Sequence, residues 1–297
     1  MNQETSGQLS IREAGEERRI VHESFILTVN ERTGAISLRT SDEKLQVFAN
    51  QTEILTGGPL LRVGRKPTLA ERRQYLEKFH FDYWMPYLLE PDTLMQQRIV
   101  RQGESVVVTN SYVFRRPGHP RQAFSLLLDL TVYSGGWIQV DYQLTPQNAE
   151  DYFLELGLGF RLPWTMSEFA WIGDGPYASY PGKSVHAIRG LHHISADNPH
   201  FDGNRAGIDI GLLTETAGYG LGLTADGIDV SVERLENGII LTRNLRVAGK
   251  GTKPTGMITR HLVPAESVTS LEGSFRWYPL RKENWPSVFE DLFSDLQ

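Results

Sequence analysis

The 297-residue chain is long enough to bury a full core, and its 40% hydrophobic and 22% charged residues are typical of a soluble globular protein. A net charge of −6 without a basic stripe argues against a nucleic-acid partner. The absence of cysteine excludes disulfides, thiolate catalysis and cysteine-ligated zinc. No apolar run is long enough to span a membrane and no signal peptide is visible, so we expect a cytoplasmic protein without membrane contact.

The first 20 residues are polar and charge-rich without periodicity, which is typical of a disordered lead or linker. We predict that residues 21–297 form one domain. Its first predicted element is a hairpin of residues 25–29 and 35–38, joined by a turn that ends at Gly34.

Strand-like segments then recur to the end of the chain, and the turn Ser134-Gly135-Gly136 predicts a second hairpin. The other predicted strands cover residues 105–109, 111–114, 123–132, 137–144, 154–161, 184–188, 208–213, 220–224, 228–232, 239–241, 257–262 and 272–278. Many short strands broken by glycine, asparagine and proline predict an all-β sandwich or barrel.

Helix is scarce in the sequence. Residues 70–79 could form a short helix, and the tail carries apolar residues on one helical face from Trp285 to Leu296. Such a terminal helix has to dock, either on its own chain or on a partner chain or sister domain. The basic residues from Arg62 to Arg73 are interpreted as a solvated loop or short helix.

The segment 171–183, WIGDGPYASYPGK, combines glycine, proline and three rings. Glycine and proline together favour a rigid loop, and such a loop can hold Trp171, Tyr177 and Tyr180 for stacking on a sugar. The alternative is an ordinary corner of a β protein, with Trp171 in the core.

A polar cluster follows in residues 192–205, with three histidines and two carboxylates in its first eleven positions. Its spacing matches no common metal motif, and adjacent His192 and His193 would point to opposite faces of a strand. We therefore predict no metal site. A substrate-binding loop and a structural loop both remain open, and loop-capping hydrogen bonds are an equal alternative for Asn204 and Arg205.

Four segments in order resemble motifs of the C-terminal domain of family 2 β-galactosidases. Residues 171–183 resemble W-x-G-x-G-P-x-x-x-Y-P-x-[RK]. The other three are GPLLR with RKPT at residues 58–62 and 65–68, PHFDGNR at residues 199–205, and FRWYPL at residues 275–280. The resemblance covers residues 25–281, nearly the whole chain.

This resemblance implies a large antiparallel two-sheet supersandwich, shared with galactose mutarotases, that ends in a short helix. In that family the catalytic glutamates lie on a separate upstream TIM barrel, so no catalytic residue is expected in this chain. Several galactose contacts are replaced, since Asp174, Ala178 and Ser179 stand at charged or amide positions of the family motif. Thr255 stands where the family's sugar-stacking tryptophan would be.

The leading hypothesis is a non-catalytic, carbohydrate-binding domain or small subunit of a β-galactosidase-like retaining enzyme, with a barrel domain or subunit as partner and a homo-oligomer possible. One alternative is a stand-alone epimerase of the mutarotase type, in which a histidine works with a carboxylate. Another is a scaffold in an oligomer without a role in sugar binding. No cofactor is expected. We expect a sugar pocket where segment 171–183 meets segment 192–205. The predicted substrate-binding residues are Trp171, Asp174, Tyr177, Tyr180, His193, His200, Asp202, Asn204 and Arg205.

Overall fold

The computed structural model describes residues 9–41, 52–65, 87–117, 119–147, 152–181, 186–215, 218–248, 263–264 and 270–280. Twenty strands and no helix occur in these residues. In chain order they are β1 Ser10–Ala14, β2 Glu17–Val21, β3 Phe25–Asn30, β4 Ile36–Thr40, β5 Glu53–Leu55, β6 Gly57–Arg62, β7 Leu88–Leu89, β8 Thr93–Gln102, β9 Ser105–Arg116, β10 His119–Tyr133, β11 Ile138–Gln147, β12 Tyr152–Phe153, β13 Glu155–Leu162, β14 Glu168–Gly175, β15 Ile188–Ser195, β16 Gly203–Thr214, β17 Gly220–Leu235, β18 Gly238–Val247, β19 Val263–Pro264 and β20 Leu271–Leu280.

Two large antiparallel sheets build the fold. The smaller has the order β1-β2-β3-β4-β5. The larger has thirteen strands, with the main path β7-β6-β13-β18-β17-β20-β11-β10-β9-β8; β14, β15 and β16 join it beside β17. The predicted all-β class with large antiparallel sheets is therefore confirmed, while both predicted helices lie outside the described residues.

One hydrophobic cluster joins the two sheets. Strand β9 shows why they pack, because it alternates buried and half-buried residues from Val106 to Phe114 and so presents one apolar face. The Tyr112 hydroxyl, on that face, donates a hydrogen bond of 2.7 Å to the carbonyl of Gly34, in the turn between β3 and β4 of the smaller sheet. The small sheet thus covers the apolar face of the β9 region.

The described part of the predicted N-terminal lead, residues 9–20, is folded and not disordered. Residues from Ser10 to Val21 form the hairpin β1–β2, and β2 pairs with β3. Leu9 and Ile20 are buried in the common core. These few apolar residues gain their stability from the neighbouring strands, which a local composition argument does not include.

Several further details differ from the sequence prediction. β15 was not predicted, and the segment 192–205, interpreted as a loop, lies partly in β15 and β16. The predicted strand 257–262 lies outside the described residues. Strands β9 and β17 are each continuous where two segments were predicted, and β8 was not predicted. The segment expected to be a loop from residue 171 onward begins as the end of β14. The predicted hairpin turns at Gly34 and Ser134–Gly136 are confirmed by the pairing of β3 with β4 and of β10 with β11.

No helix of the described residues is long and apolar enough to cross a membrane.

Candidate functional site

A cavity of about 140 Å³ lies between the large sheet and the segment that follows β14. Strands β6, β13 and β17 contribute Arg62, Glu155 and Glu233, and Arg65 follows β6. Tyr180 and Gly203 come from the two segments that the sequence predicted to meet. The backbone N–H of Ser179 donates to the carbonyl of Asn204 at 2.7 Å, which joins those segments. The lining is Arg62, Arg65, Glu155, Tyr180, Asp202, Gly203, Ser231, Val232 and Glu233.

Arg62 is the centre of the charged lining and only 1% exposed. Its Nη2 lies 2.8 Å from Glu233 Oε2 and its Nη1 lies 3.4 Å from Glu155 Oε2. Its Nε donates to the Thr242 hydroxyl at 3.0 Å. Burial lowers the pKa of Arg62, but the two carboxylates outweigh it and leave the pKa above its ordinary value. Arg62 therefore stays charged and holds both carboxylates.

A second buried arginine, Arg65, lies beside the first. Its Nη1 donates to the carbonyl of Ala248 at 2.8 Å and is 3.6 Å from Glu155 Oε1. Its guanidinium lies 4.7 Å from the ring centroid of Tyr180. Glu155, at 1% exposure, also accepts a hydrogen bond from the Ser231 hydroxyl at 3.2 Å. Charges buried at this depth are stable only because they are paired and hydrogen-bonded.

Two tyrosines complete the polar surroundings. The Tyr87 hydroxyl donates to Glu233 Oε1 at 2.6 Å. Burial, followed by the charge of Glu233, raises the pKa of Tyr87. Burial also raises the pKa of Tyr180 to about 12, so both phenols are neutral hydrogen-bonding groups at neutral pH.

Two glycines allow this close packing. A Cβ on Gly157 would lie 2.4 Å from the carbonyl of Arg243 and 2.8 Å from the amide oxygen of Asn244. Gly203 has a φ of 131°, and a Cβ there would lie 2.8 Å from the Cβ of Ala178. A larger residue at either position would displace the polar network or the cavity wall.

Asn204 connects the cavity wall to the sheet beneath it. Its Nδ2 donates to the Ser179 carbonyl at 2.9 Å and its Oδ1 accepts from Asn244 Nδ2 at 2.9 Å. Asn244 in turn donates to the Ser231 hydroxyl at 2.6 Å. Asn204 Nδ2 also contacts Asp229, where burial raises the pKa of the carboxyl. Asn204 is fully buried and therefore supports the cavity rather than lining it.

Burial also contradicts two more of the predicted sugar contacts. Trp171 has 0% exposure, stacks on Phe169 at 4.9 Å and donates from Nε1 to the Asp174 carbonyl, so its ring has no surface for a sugar. This is the core alternative that the sequence left open.

Arg205 is buried over the Trp171 ring. It donates to the carbonyls of Gly203, His200 and Phe201, which is the predicted loop-capping alternative.

The other predicted residues divide between the cavity and the surface. Tyr180 and Asp202 line the cavity, and Asp202 accepts hydrogen bonds from the backbone and Nε of Arg234 at 3.1 and 3.0 Å. The exposed rings of Tyr177 and His200 meet edge to face, with centroids 5.4 Å apart.

Asp174 and His193 are not among the lining residues. Asp174 is on β14, and His193 pairs with Glu168 on that strand at 2.8 Å. His192 bonds instead to the Ile188 carbonyl and packs on Trp171, so the adjacent histidines do point to opposite faces of β15.

In the described part of the chain, no three histidine or carboxylate groups are arranged to hold a metal ion.

Sequence reasoning missed four charged residues of the cavity: Arg62, Arg65, Glu155 and Glu233. The basic stretch that begins at Arg62 was interpreted as solvated, but both arginines are buried. The position of Arg62 directly after the apolar run Pro59–Leu61 was the available signal, because an arginine that ends a buried strand requires a buried partner. Nothing local could have paired it with Glu155 and Glu233, which lie 93 and 171 positions away.

The model of the β-galactosidase small chain family matches residues 22–236. The chain belongs to this family. No curated protein matches the sequence.

Solved structures similar to this chain include a putative aldose 1-epimerase from Escherichia coli K12, at 10% identity and a TM-score of 0.43, and an aldose epimerase homologue from C. elegans, at 9% and 0.46. Each comparison covers 92% of this chain and 98% of the other. An α-N-acetylgalactosaminidase from Bifidobacterium bifidum is 8% identical, with a TM-score of 0.41. That comparison covers 94% of this chain but 38% of the enzyme.

Proposed function

We propose that the chain is a non-catalytic, carbohydrate-binding domain or small subunit of a β-galactosidase-like glycoside hydrolase, with a catalytic barrel in another domain or polypeptide. The observation that carries the proposal is the buried set of arginines and carboxylates, open to a cavity, in a chain of the β-galactosidase small chain family. Fixed charged donors and acceptors of this kind match the hydroxyl groups of a sugar, which both donate and accept.

The size and charge of the cavity favour a single neutral sugar unit. Its volume of about 140 Å³ is below the range of about 300–1,000 Å³ for drug-sized ligands. Arg62 and Arg65 are balanced by Glu155 and Glu233, and Asp202 is balanced by Arg234. With no excess charge among these groups, an ionic ligand has no unpaired partner here.

The pairing of the carboxylates favours binding over catalysis. A retaining glycosidase needs one carboxyl that is protonated and one that attacks. Glu155 and Glu233 both accept hydrogen bonds from the same guanidinium, that of Arg62, so their oxygens are held as acceptors and not set apart as an acid and a nucleophile. The cavity carboxylates are therefore suited to accept hydrogen bonds from sugar hydroxyls.

Sugar binding is tested by titrating the purified chain with galactose and with glucose, using calorimetry and melting temperature. We expect saturable binding of at least one sugar. A ligand at 100 times its Kd stabilises the folded state by about 2.7 kcal/mol. Failure of both sugars to bind or to raise the melting temperature would contradict the proposal.

A pair of variants locates the binding. Asp202→Asn removes a charged acceptor from the cavity wall and should weaken sugar binding about tenfold or more, since a hydrogen bond to a charged group contributes about 1.5–3 kcal/mol. Glu272→Gln is the matched control, because Glu272 lines a separate groove formed by β10, β11 and β20. Equal effects of the two variants would place binding elsewhere.

The stand-alone epimerase remains the second candidate, because the pair of His193 and Glu168 joins a histidine to a carboxylate at 2.8 Å. Polarimetry on freshly dissolved galactose or glucose separates the two functions. An accelerated rate that is lost in His193→Ala would favour the epimerase. A rate equal to that of buffer, together with binding and co-purification of a barrel subunit, would favour the non-catalytic domain.

A further inference from the structure

The exposed ring pair of Tyr177 and His200 lies beside the cavity. Tyr177 is three residues before Tyr180, and His200 is two residues before Asp202, so each ring is close in sequence to a lining residue. At about 3.6 Å per residue, the Cα atoms are within about 11 and 7 Å of those neighbours. The pair therefore forms part of the surface next to the cavity.

Hydrogen bonds hold the two segments that carry the pair. The hydroxyl of Tyr180 accepts from the backbone N–H of Asn204 at 3.2 Å. The carbonyl of His200 accepts from Arg205 Nη2 at 2.8 Å, and its N–H donates to Asn198 Oδ1 at 2.9 Å. A ring on a segment that is already held loses less conformational entropy when a ligand contacts it.

The arrangement leaves ring surface available. The ring planes of Tyr177 and His200 meet at 79°, so the edge of one ring faces the other and neither ring is enclosed. Tyr177 is 54% exposed, in contrast to the other two rings of its segment, Trp171 and Tyr180, which are buried. The negative face of an aromatic ring attracts the weakly positive C–H groups on the apolar face of a sugar.

We propose that Tyr177, held by His200, stacks on a second sugar unit next to the unit bound in the cavity. The preferred ligand is then the end of a disaccharide or longer saccharide, with one ring in the cavity and the next on Tyr177. This inference rests on the proposed sugar binding of the cavity.

The test compares the affinities for galactose and lactose, and for glucose and cellobiose, in the wild type and in variants at Tyr177. The wild type should bind at least one disaccharide more tightly than its monosaccharide. Tyr177→Ala should weaken that disaccharide about tenfold, equivalent to an aromatic contact of about 1.4 kcal/mol, and change the monosaccharide less than about twofold.

Tyr177→Phe keeps the ring and should keep the disaccharide affinity. Met95→Ala, which removes an exposed apolar side chain on β8, is the control and should change neither affinity. Melting temperatures of the variants show whether each is folded.

Equal weakening of both ligand types by Tyr177→Ala, or no weakening, would overturn the second subsite and leave the cavity proposal intact. A wild type that binds no disaccharide more tightly than its monosaccharide would overturn it as well. A wild type that binds none of the four sugars would overturn the subsite together with the proposed function.

Discussion

Strands β9 and β13 are both inner strands of the large sheet, yet their two faces meet different surroundings. β9 buries one face and leaves the other half-buried, with serine, threonine and valine side chains. β13 also alternates in sequence, with Leu156, Leu158 and Phe160 facing the core, but Glu155 on the opposite face is buried as well. The difference shows that alternation identifies the two faces of a strand without telling whether the polar face meets water.

The largest expected effect comes from breaking the buried ion pairs that line the cavity. Arg62→Met leaves Glu155 and Glu233 without their shared partner, and removal of one member of a buried ion pair costs about 3–5 kcal/mol. The free energy of unfolding from denaturant titration measures this loss. Arg115→Ala breaks an exposed ion pair with Asp92 and should cost less than about 1 kcal/mol. Similar losses in the two variants would mean that the cavity arginine is no more important than a surface one.

The next largest effect is expected from a buried leucine on β10, the strand that pairs with β9. Leu128→Ala removes a buried side chain from β10 and should reduce the free energy of unfolding by about 2–5 kcal/mol, since a cavity adds to the lost burial. Leu127→Ala, one residue earlier, removes a side chain from the half-exposed face. It should reduce the free energy of unfolding much less than Leu128→Ala does. A smaller loss at Leu128 than at Leu127 would contradict the assignment of the two faces.

A smaller effect is expected from removing one hydrogen bond to Glu233, a carboxylate of the cavity. Tyr87→Phe removes the donor to Glu233 Oε1 and leaves a buried carboxylate oxygen with one partner fewer, at a cost of about 1.5–3 kcal/mol. Tyr177→Phe is the control, since the ring of Tyr177 is exposed and a surface change of this kind stays within about 0.5 kcal/mol. Equal midpoints of unfolding for both variants would show that the hydroxyl of Tyr87 contributes nothing.

The smallest effect is a pH dependence at Asp229. Burial raises the pKa of its carboxyl above the unfolded value, so the folded state holds the proton more tightly and stability falls as pH rises through the folded pKa. Asp229→Asn removes this titration. The stability of the variant relative to the wild type should therefore be greater at pH 7 than at pH 3. An unfolding free energy difference that is constant over this range would contradict the raised pKa.

Sequence periodicity predicted the fold class and two of the hairpins because strand faces and glycine turns are local properties. It did not predict β1 and β2, since a short polar hairpin becomes stable only when β3 pairs with it. The candidate site was predicted in part. The segments around Tyr180 and Asp202 do meet, and glycine and proline marked the first of them.

The amino-acid sequence by itself determined the all-β character, the absence of disulfides and the two segments that carry the cavity wall. The tertiary structure alone decided which polar residues are buried. Glu233 meets Arg62 across 171 positions of the chain, and Trp171 lies in the core because neighbouring strands cover it. Backbone conformation depends on nearby residues, whereas burial and charge pairing depend on strands brought together from distant parts of the sequence.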